Sequence, residues 1–117
     1  MESLMQIRER LVNIPDKQWR VGMGAGEAEQ EERVCCALGH LGQTNIRASD
    51  LGKELGRYFL KSFGALNLVW DDKYTAPYFE QYPHVLVTLV NDGKIQGLNQ
   101  ISPKERVLHA IDLVLAL

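Results

Sequence analysis

Apolar residues at helical spacing predict a helix near the start of the chain. Leu4, Ile7 and Leu11 recur three or four residues apart, which places their side chains on one face of a helix. Ser3 stands where an N-cap residue is expected, and Gln6 completes a capping box three residues later. We therefore predict a first helix that begins directly after Ser3.

The C-terminal segment carries the clearest helix signals in the sequence. Ser102 can cap a helix, Pro103 suits its first position, and Glu105 completes a second capping box. An apolar stripe follows at helical spacing, formed by Val107, Leu108, Ile111, Val114 and Leu115. We predict a helix from position 103 to the end of the chain, and we expect burial of its stripe to be essential to the fold.

An acidic stretch at positions 27–32 predicts the start of another helix, because negative side chains suit the positive end of the helix dipole. Val34, Leu38 and Leu41 would form its buried face, and Gly42 would end it. This prediction places the two neighbouring cysteines about two turns inside the helix.

A further helix is predicted between a cap at Ser49 or Asp50 and a stop at Gly64. Its apolar stripe consists of Leu51, Leu55, Tyr58, Phe59 and Phe63. Gly52 and Gly56 lie one turn apart on one side of this helix. Because glycine weakens a helix, we expect another backbone to pack closely against these positions.

The segment between residues 77 and 99 leaves two alternatives open. Pro77 could begin a short helix that runs to Tyr82. Residues 85–90 are β-formers, and the turn signal at residues 91–93 would then give a β-hairpin near residues 84–99. The same residues could instead form one buried helix, and their periodicity does not separate the two structures.

Together these elements predict a mainly α protein. The 117 residues fit one domain, which we expect to span residues 1–117 as a compact bundle of four to six helices. The short hairpin near residues 84–99, if it forms, would make the fold α+β. Neither an internal repeat nor a linker divides the sequence.

Charge and composition narrow the classes of partner. The formal net charge is −2 and the basic residues form no stripe, so nucleic acid is not expected as the main ligand. No run approaches the roughly 20 apolar residues that cross a bilayer, and no secretory signal is visible, so we expect no membrane association.

Cys35 and Cys36 are the only cysteines, and adjacent cysteines rarely bridge each other. We therefore expect both thiols to be reduced and the protein to be cytoplasmic.

Two patterns in the sequence resemble a phosphate-binding loop and a zinc site, but each lacks residues that such a site requires. The glycines within residues 22–26 resemble a phosphate loop, but position 27 is Glu rather than the third glycine, and no Lys-Ser or Lys-Thr pair follows. Cys36 and His40 could share one helix face, yet a structural zinc site would need a second pair of ligands in a paired motif. We therefore expect neither a metal nor a cofactor.

A cysteine-dependent hydrolase is the enzymatic alternative. Cys35 or Cys36 would be the nucleophile, His84 the base, and Asp92 or Asn91 the group that orients the imidazole, in an order that loosely matches papain-like proteins. The predicted helix weakens this alternative, because it puts the thiols beyond the positive helix end that best stabilises a thiolate. Acidic residues one turn earlier disfavour the thiolate further.

The aromatic-acidic segment, residues 70–82, is the candidate binding surface. Aromatic side chains supply binding energy at protein interfaces with little loss of conformational entropy. The candidate partner-binding residues are Trp70, Asp71, Asp72, Tyr74, Tyr78, Phe79 and Tyr82, with Glu80 among them. Taken singly, each ring fits a core position as well, but the segment as a whole suggests exposed aromatic surface.

Four short motifs occur along the chain in a fixed order: a tryptophan (Trp19), a Cys-x-x-Gly-x-Leu helix at 36–41, an apolar-Asn-Asp turn at 90–92, and a closing helix at 102–112. In this pattern the chain resembles a group of small uncharacterised phage and prophage proteins. The closing helix is of the type Ser/Thr-x-x-Glu-x-Val-Leu. The chain departs from the pattern in having valine before the Asn-Asp pair, where many of the group have tryptophan, and in a longer loop at 94–101. The resemblance implies a mainly helical fold and a mobile-element origin, and no particular reaction.

These observations lead to one main hypothesis. Without a convincing catalytic set, and with the aromatic-acidic segment, the sequence favours a non-catalytic regulator or inhibitor that binds a protein factor of the host cell. The hydrolase remains the alternative, and the sequence leaves the oligomeric state open.

Overall fold

The computed structural model describes residues 3–21, 35–43 and 49–117. Within these ranges the chain is helical, as predicted, and its helices form one bundle-like domain with a radius of gyration of 13.1 Å. The helices are α1 (Leu4–Val12), α2 (Ala37–His40), α3 (Asp50–Ser62), α4 (Ala76–Gln81), α5 (Pro83–Asn91) and α6 (Pro103–Leu115), with a short 3-10 turn at Asp16–Gln18. None of these described helices is both long enough and apolar enough to cross a bilayer.

The predicted helix caps are present. At the start of α1, Ser3 Oγ accepts from the Gln6 backbone N–H at 3.3 Å, while Gln6 Oε1 accepts from the Ser3 N–H at 2.8 Å. Ser49 Oγ accepts from Gly52 N at 2.9 Å to cap α3, and Ser102 caps α6 in the same way. These side chains satisfy N–H groups that the first turn of a helix leaves without partners.

Residues 83–91 form the central helix of the bundle and no hairpin. α5 lies in contact with α2, α3, α4 and α6, so apolar side chains on most of its circumference are buried. This explains why its sequence shows no clean helical periodicity, since a helix covered on several sides is apolar all round. The only ladder pairing near the predicted hairpin, within the described residues, is an isolated antiparallel bridge between Val69 and Gln96.

The predicted second helix is much shorter than expected. Its predicted opening at residues 27–34 lies outside the described residues, and the described part, α2, begins only at Ala37. Cys35 is extended: its N–H donates to the Gln18 carbonyl at 3.0 Å, and its carbonyl accepts from Arg20 N at 3.1 Å. Because this pairing uses both backbone groups of Cys35, the prediction that the cysteines lie two turns inside a helix is wrong.

The predicted close approach of another backbone is confirmed at Gly56, whereas Gly52 faces a side chain. A Cβ on Gly56 would collide with the backbone carbonyl of Pro83, at the start of α5. A Cβ on Gly52 would lie 2.8 Å from Leu38 Cδ2, which belongs to α2. The missing side chains therefore let α3 lie directly against its two neighbours.

A buried polar network joins α2, α5 and α6. Asn91 is fully buried, and its Oδ1 accepts from Ala37 N at 3.0 Å while its Nδ2 donates to the Arg20 carbonyl at 2.9 Å. Arg106, which is 7% exposed, donates through Nε and Nη2 to the Asn91 carbonyl at 3.2 and 2.7 Å. Its Nη1 donates to the carbonyls of Gln100 and Ile101 at 2.9 and 2.8 Å. One guanidinium thus holds the end of α5 to the loop before α6.

Candidate functional site

The aromatic rings of the aromatic-acidic segment form one continuous cluster around Phe79. Phe79 is completely buried, and the edge of Trp70 meets it at a centroid distance of 4.9 Å. Tyr74 stacks on another side of Phe79 at 5.5 Å. The Trp70 indole N–H donates to the Tyr74 carbonyl at 3.0 Å, so a side-chain hydrogen bond fixes the loop that carries both rings.

The cluster continues outward along α4. Tyr78 lies 5.6 Å from Tyr74 and 5.2 Å from Tyr82, measured between ring centroids. Tyr78 and Tyr82 are 38% and 41% exposed, and the Tyr82 N–H, directly after the end of α4, donates to the Tyr78 carbonyl at 2.8 Å. Tyr78 is therefore in contact with rings that are buried or half-buried, and Tyr82 lies against Tyr78 and the His84 ring.

The residues predicted to bind a partner lie together in the fold, but they divide into two groups. Phe79 is part of the core, and Trp70 and Tyr74 are half-buried and packed against it. The side chains available at the surface are Asp71, Asp72, Tyr78 and Tyr82, with Glu80 beside them. Whether a side chain of α4 is buried or exposed depends on its position around this short helix. The sequence alone did not reveal which side of α4 faces the core.

The exposed charges around the tyrosines are mainly negative. Asp71, Asp72 and Glu80 are exposed, and so are two cations, Lys73 and Lys94, of which Lys94 lies beside Asp71 and Asp72. Asp71 Oδ1 accepts from Lys73 N at 3.0 Å, which fixes the turn, and Lys73 Nζ lies 5.3 Å from the Tyr74 ring centroid. The result is a surface, here named the tyrosine surface, made of Asp71, Asp72, Tyr78, Glu80 and Tyr82.

A cleft of about 380 Å³ lies beside this surface, between the loop at residues 71–74 and one side of α5. Its volume is within the range of small-molecule sites. Thr88 is 6% exposed and lines the cleft, and its Oγ1 is buried without a hydrogen-bond partner. The cleft is lined by Asp71, Lys73, Tyr74, Val85, Thr88, Leu89, Asp92 and Lys94.

The structure pairs the Cys35 thiol with His40. Sγ lies 3.5 Å from His40 Nδ1, and His40 Nε2 lies 2.7 Å from the Gln18 carbonyl oxygen. Because a carbonyl only accepts, Nε2 carries a proton, and in the neutral pair Nδ1 accepts from the thiol. The Trp19 ring lies against the imidazole at a centroid distance of 5.2 Å. Cys35 itself is completely buried.

His84, the base of the sequence-based hydrolase hypothesis, lies elsewhere. Its ring meets Tyr82 edge-on at 6.4 Å, and its Nδ1 is buried without a hydrogen-bond partner. Burial, and secondarily the charge of Lys53, lowers the pKa of His84 from its usual value. The ring is thus in a setting that favours the neutral imidazole, with Tyr82 rather than a thiol as its neighbour.

The other members of that hypothesis serve as structural groups. Cys36 is buried and occupies the N-cap position of α2. Asp92 accepts from Asn91 Nδ2 at 2.9 Å, at the end of α5. Sequence reasoning missed His40 as the partner of Cys35, because the five-residue spacing brings the two together only if α2 begins after Cys36.

Metal binding finds no support in the part of the chain that is described. No three side chains of His, Cys, Asp or Glu among residues 3–21, 35–43 and 49–117 are grouped as a metal ion requires. The pair of Cys35 and His40 therefore has no third ligand within those ranges.

Comparisons with known proteins give no relative on which a function could rest. No family model matches the chain, and neither the curated proteins nor the solved structures contain a significant match. The candidate functions below are therefore argued from the geometry of the chain itself.

Proposed function

We propose that this chain is a non-catalytic regulator of phage or prophage type, which binds a protein factor of the host cell through its tyrosine surface. The observation that carries the proposal is the pair of exposed rings, Tyr78 and Tyr82, which lie against each other while Tyr78 also meets the buried Phe79 ring in a T-shaped contact. The resemblance to small phage and prophage proteins supports the proposed origin and the cytoplasmic location.

The arrangement of the rings suits protein binding in energetic terms. An interface loses free energy when it immobilises side chains, by about 0.5–1.5 kcal/mol for each flexible one. Tyr78 and Tyr82 already have ring neighbours at 5.7 and 5.2 Å, so little of their freedom remains to be lost. Their exposed ring surface would supply hydrophobic burial, and their hydroxyl groups would supply hydrogen bonds.

The charges define the chemistry of the partner. Asp71, Asp72 and Glu80 belong to the same exposed segment as the rings and outnumber Lys73 and Lys94, so a complementary surface carries basic side chains between apolar ones. Such complementarity mainly accelerates association. The on-rate should therefore fall as the salt concentration rises, while the apolar contacts maintain the lifetime of the complex.

Replacing Tyr78 and Tyr82 together by alanine should abolish retention of the host partner. The tagged chain and the double variant are compared as baits in bacterial host lysate, with retained proteins quantified by mass spectrometry. Loss of two anchoring rings weakens a typical interface by about 2–4 kcal/mol, or roughly 30- to 1000-fold in affinity. Both rings are partly buried, so thermal unfolding is measured alongside, and only a variant that is still folded is used as bait.

Ile101 provides the matched control for this experiment. It is 93% exposed and lies in the loop before α6, so Ile101→Ala removes apolar surface at another place in the fold. We expect Ile101→Ala to retain the same partner as the parent chain. Equal retention by the folded tyrosine double variant, or no specific partner for the parent chain, would overturn the proposal.

The pairing of Cys35 with His40 supports a second candidate, a cysteine-dependent hydrolase. His40 Nδ1 could take the thiol proton as Sγ attacks a substrate carbonyl, and return it to the leaving group as the bond from the acyl carbon to that group breaks. Water would then attack the thioester, releasing the acid and restoring the thiol. The Gln18 carbonyl would hold the ring in the required orientation at 2.7 Å. Complete burial of Cys35 opposes this candidate, because a nucleophile must reach its substrate.

Thiol alkylation separates the two candidates. If the protein is a binder, both cysteines should react with iodoacetamide at least about 100-fold more slowly in the folded chain than in urea, because the folded state must open first. The rate is measured by mass spectrometry between pH 5 and 9, with Cys36→Ala and Cys35→Ala to assign the sites. Fast alkylation of folded Cys35 that persists below pH 7 and is lost in His40→Ala would favour the hydrolase instead.

A further inference from the structure

The cleft beside the tyrosine surface has both an apolar wall and groups of both charges at its edges. Leu89 is 8% exposed and lines the wall with Val85 on the same side of α5. The Tyr74 ring, fixed by its stack on Phe79, closes another side. A small apolar group bound here would be shielded from water on several sides, as ligands generally are in small-molecule sites.

The charged groups of the cleft point to a ligand that carries both signs. The Lys94 ammonium has no ion-pair partner among the described residues, and Lys73 has only the face of Tyr74. Asp71 lies on the same cleft, and its carboxylate has more acceptor positions than its hydrogen bond from Lys73 N uses. A ligand carboxylate would meet the lysines, and a ligand ammonium would meet Asp71.

Thr88, one of the residues that line the cleft, has a buried hydroxyl that the fold itself leaves without a hydrogen bond. In a helix, a threonine hydroxyl usually bonds to a carbonyl one turn earlier or faces water. Thr88 Oγ1 does neither, since it is buried and has no partner among the described groups. A buried hydroxyl without a hydrogen bond is unfavourable, and a ligand that bonds to it would remove that penalty.

We propose that this cleft binds a small zwitterion with an apolar body, of the chemical class of the free α-amino acids with aliphatic or aromatic side chains. The apolar body lies against Val85 and Leu89, the carboxylate lies toward Lys94 and the Thr88 hydroxyl, and the ammonium lies toward Asp71. The site shares Asp71 with the tyrosine surface but includes neither Tyr78 nor Tyr82, so it can be tested on the chain without the proposed protein partner.

Calorimetric and NMR titrations test this site with defined probes. L-Leucine and L-phenylalanine are titrated into the ¹⁵N-labelled chain up to about 10 mM, far enough to detect millimolar binding. N-Acetyl-leucine, which lacks the ammonium, and leucinamide, which lacks the carboxylate, are titrated in parallel. We expect saturable shifts centred on Thr88 and Leu89 with at least one free amino acid, and at least about tenfold weaker binding of both blocked forms.

Two variants locate the ligand without disturbing the fold. Thr88→Val keeps the side-chain shape and removes the unpaired hydroxyl, so stability should be unchanged or higher while affinity falls about tenfold. Lys94→Met should weaken binding by a similar factor, and Lys61→Met, at an exposed position of α3, should not. The proposal is overturned by the absence of saturation with both amino acids, by equal binding of the blocked forms, or by unchanged affinity of Thr88→Val and Lys94→Met.

Discussion

Replacing Arg106 by methionine is expected to lower the free energy of unfolding by about 3 kcal/mol. The guanidinium donates to three backbone carbonyls, those of Asn91, Gln100 and Ile101. Methionine fills a similar volume but donates nothing, so these carbonyls would lose partners in a region that water scarcely reaches. Urea unfolding monitored by circular dichroism measures the loss.

Arg57 offers the matched control for this substitution. It is on the exposed side of α3 and makes one ion pair, with Glu54, at 3.4 Å. Arg57→Met should therefore change the free energy of unfolding by about 0.5 kcal/mol or less. If Arg106→Met proved no more destabilising than Arg57→Met, the Arg106 guanidinium would not hold α5 to the loop before α6 as we describe.

Gly56→Ala is expected to destabilise the fold by about 2–4 kcal/mol. Alanine normally stabilises a helix interior by about 1 kcal/mol relative to glycine, so the sign of the effect is diagnostic. Here the added Cβ would meet the Pro83 carbonyl, and α3 and α5 would have to move apart along their shared contact. Thermal and urea unfolding report the change.

Gly64 is the control, because a Cβ at that position would meet nothing within 4 Å. Gly64→Ala should leave stability unchanged or slightly raised, since it restricts the unfolded chain. A stabilising effect of Gly56→Ala would mean that α3 and α5 are not in backbone contact, and the packing of the central helix would need revision.

The elements that carry their own boundary signals were predictable from the sequence. The caps at Ser3, Ser49 and Ser102 start three helices at the expected positions. Each cap is a local interaction, formed within a few residues, and the apolar stripe that follows needs only one buried face. The glycines of α3 were informative for the same reason, since an unfavourable residue inside a strong helix pattern requires an external cause.

The elements whose form depends on distant residues were not predictable. Cys35 is extended because its backbone pairs with the segment around Trp19, and no local signal reports that pairing. α5 lacks periodicity because neighbours cover it on several sides, so strand and helix remained equal alternatives. Arg106 falls on the helix that was predicted best, but its role depends on the loop before that helix.

The candidate site, too, was predictable from the sequence only in part. The segment at residues 70–82 was recognised by composition, and its rings do lie together. Which rings face the core depends on how α4 is rotated, and six residues of helix are too few to show a periodic pattern. The proximity of Cys35 to His40, and the unpaired hydroxyl of Thr88, are likewise properties of the folded chain.

Site-specific photocrosslinking tests the central claim, that the tyrosine surface binds a host protein, most directly. p-Benzoylphenylalanine is placed at position 78 in one version of the chain and at position 101 in another, and both are irradiated in host cells. We predict one dominant protein adduct from position 78, absent from position 101 and reduced when Tyr82 is also replaced by alanine. Adducts of equal yield from both positions, or none from position 78, would contradict it.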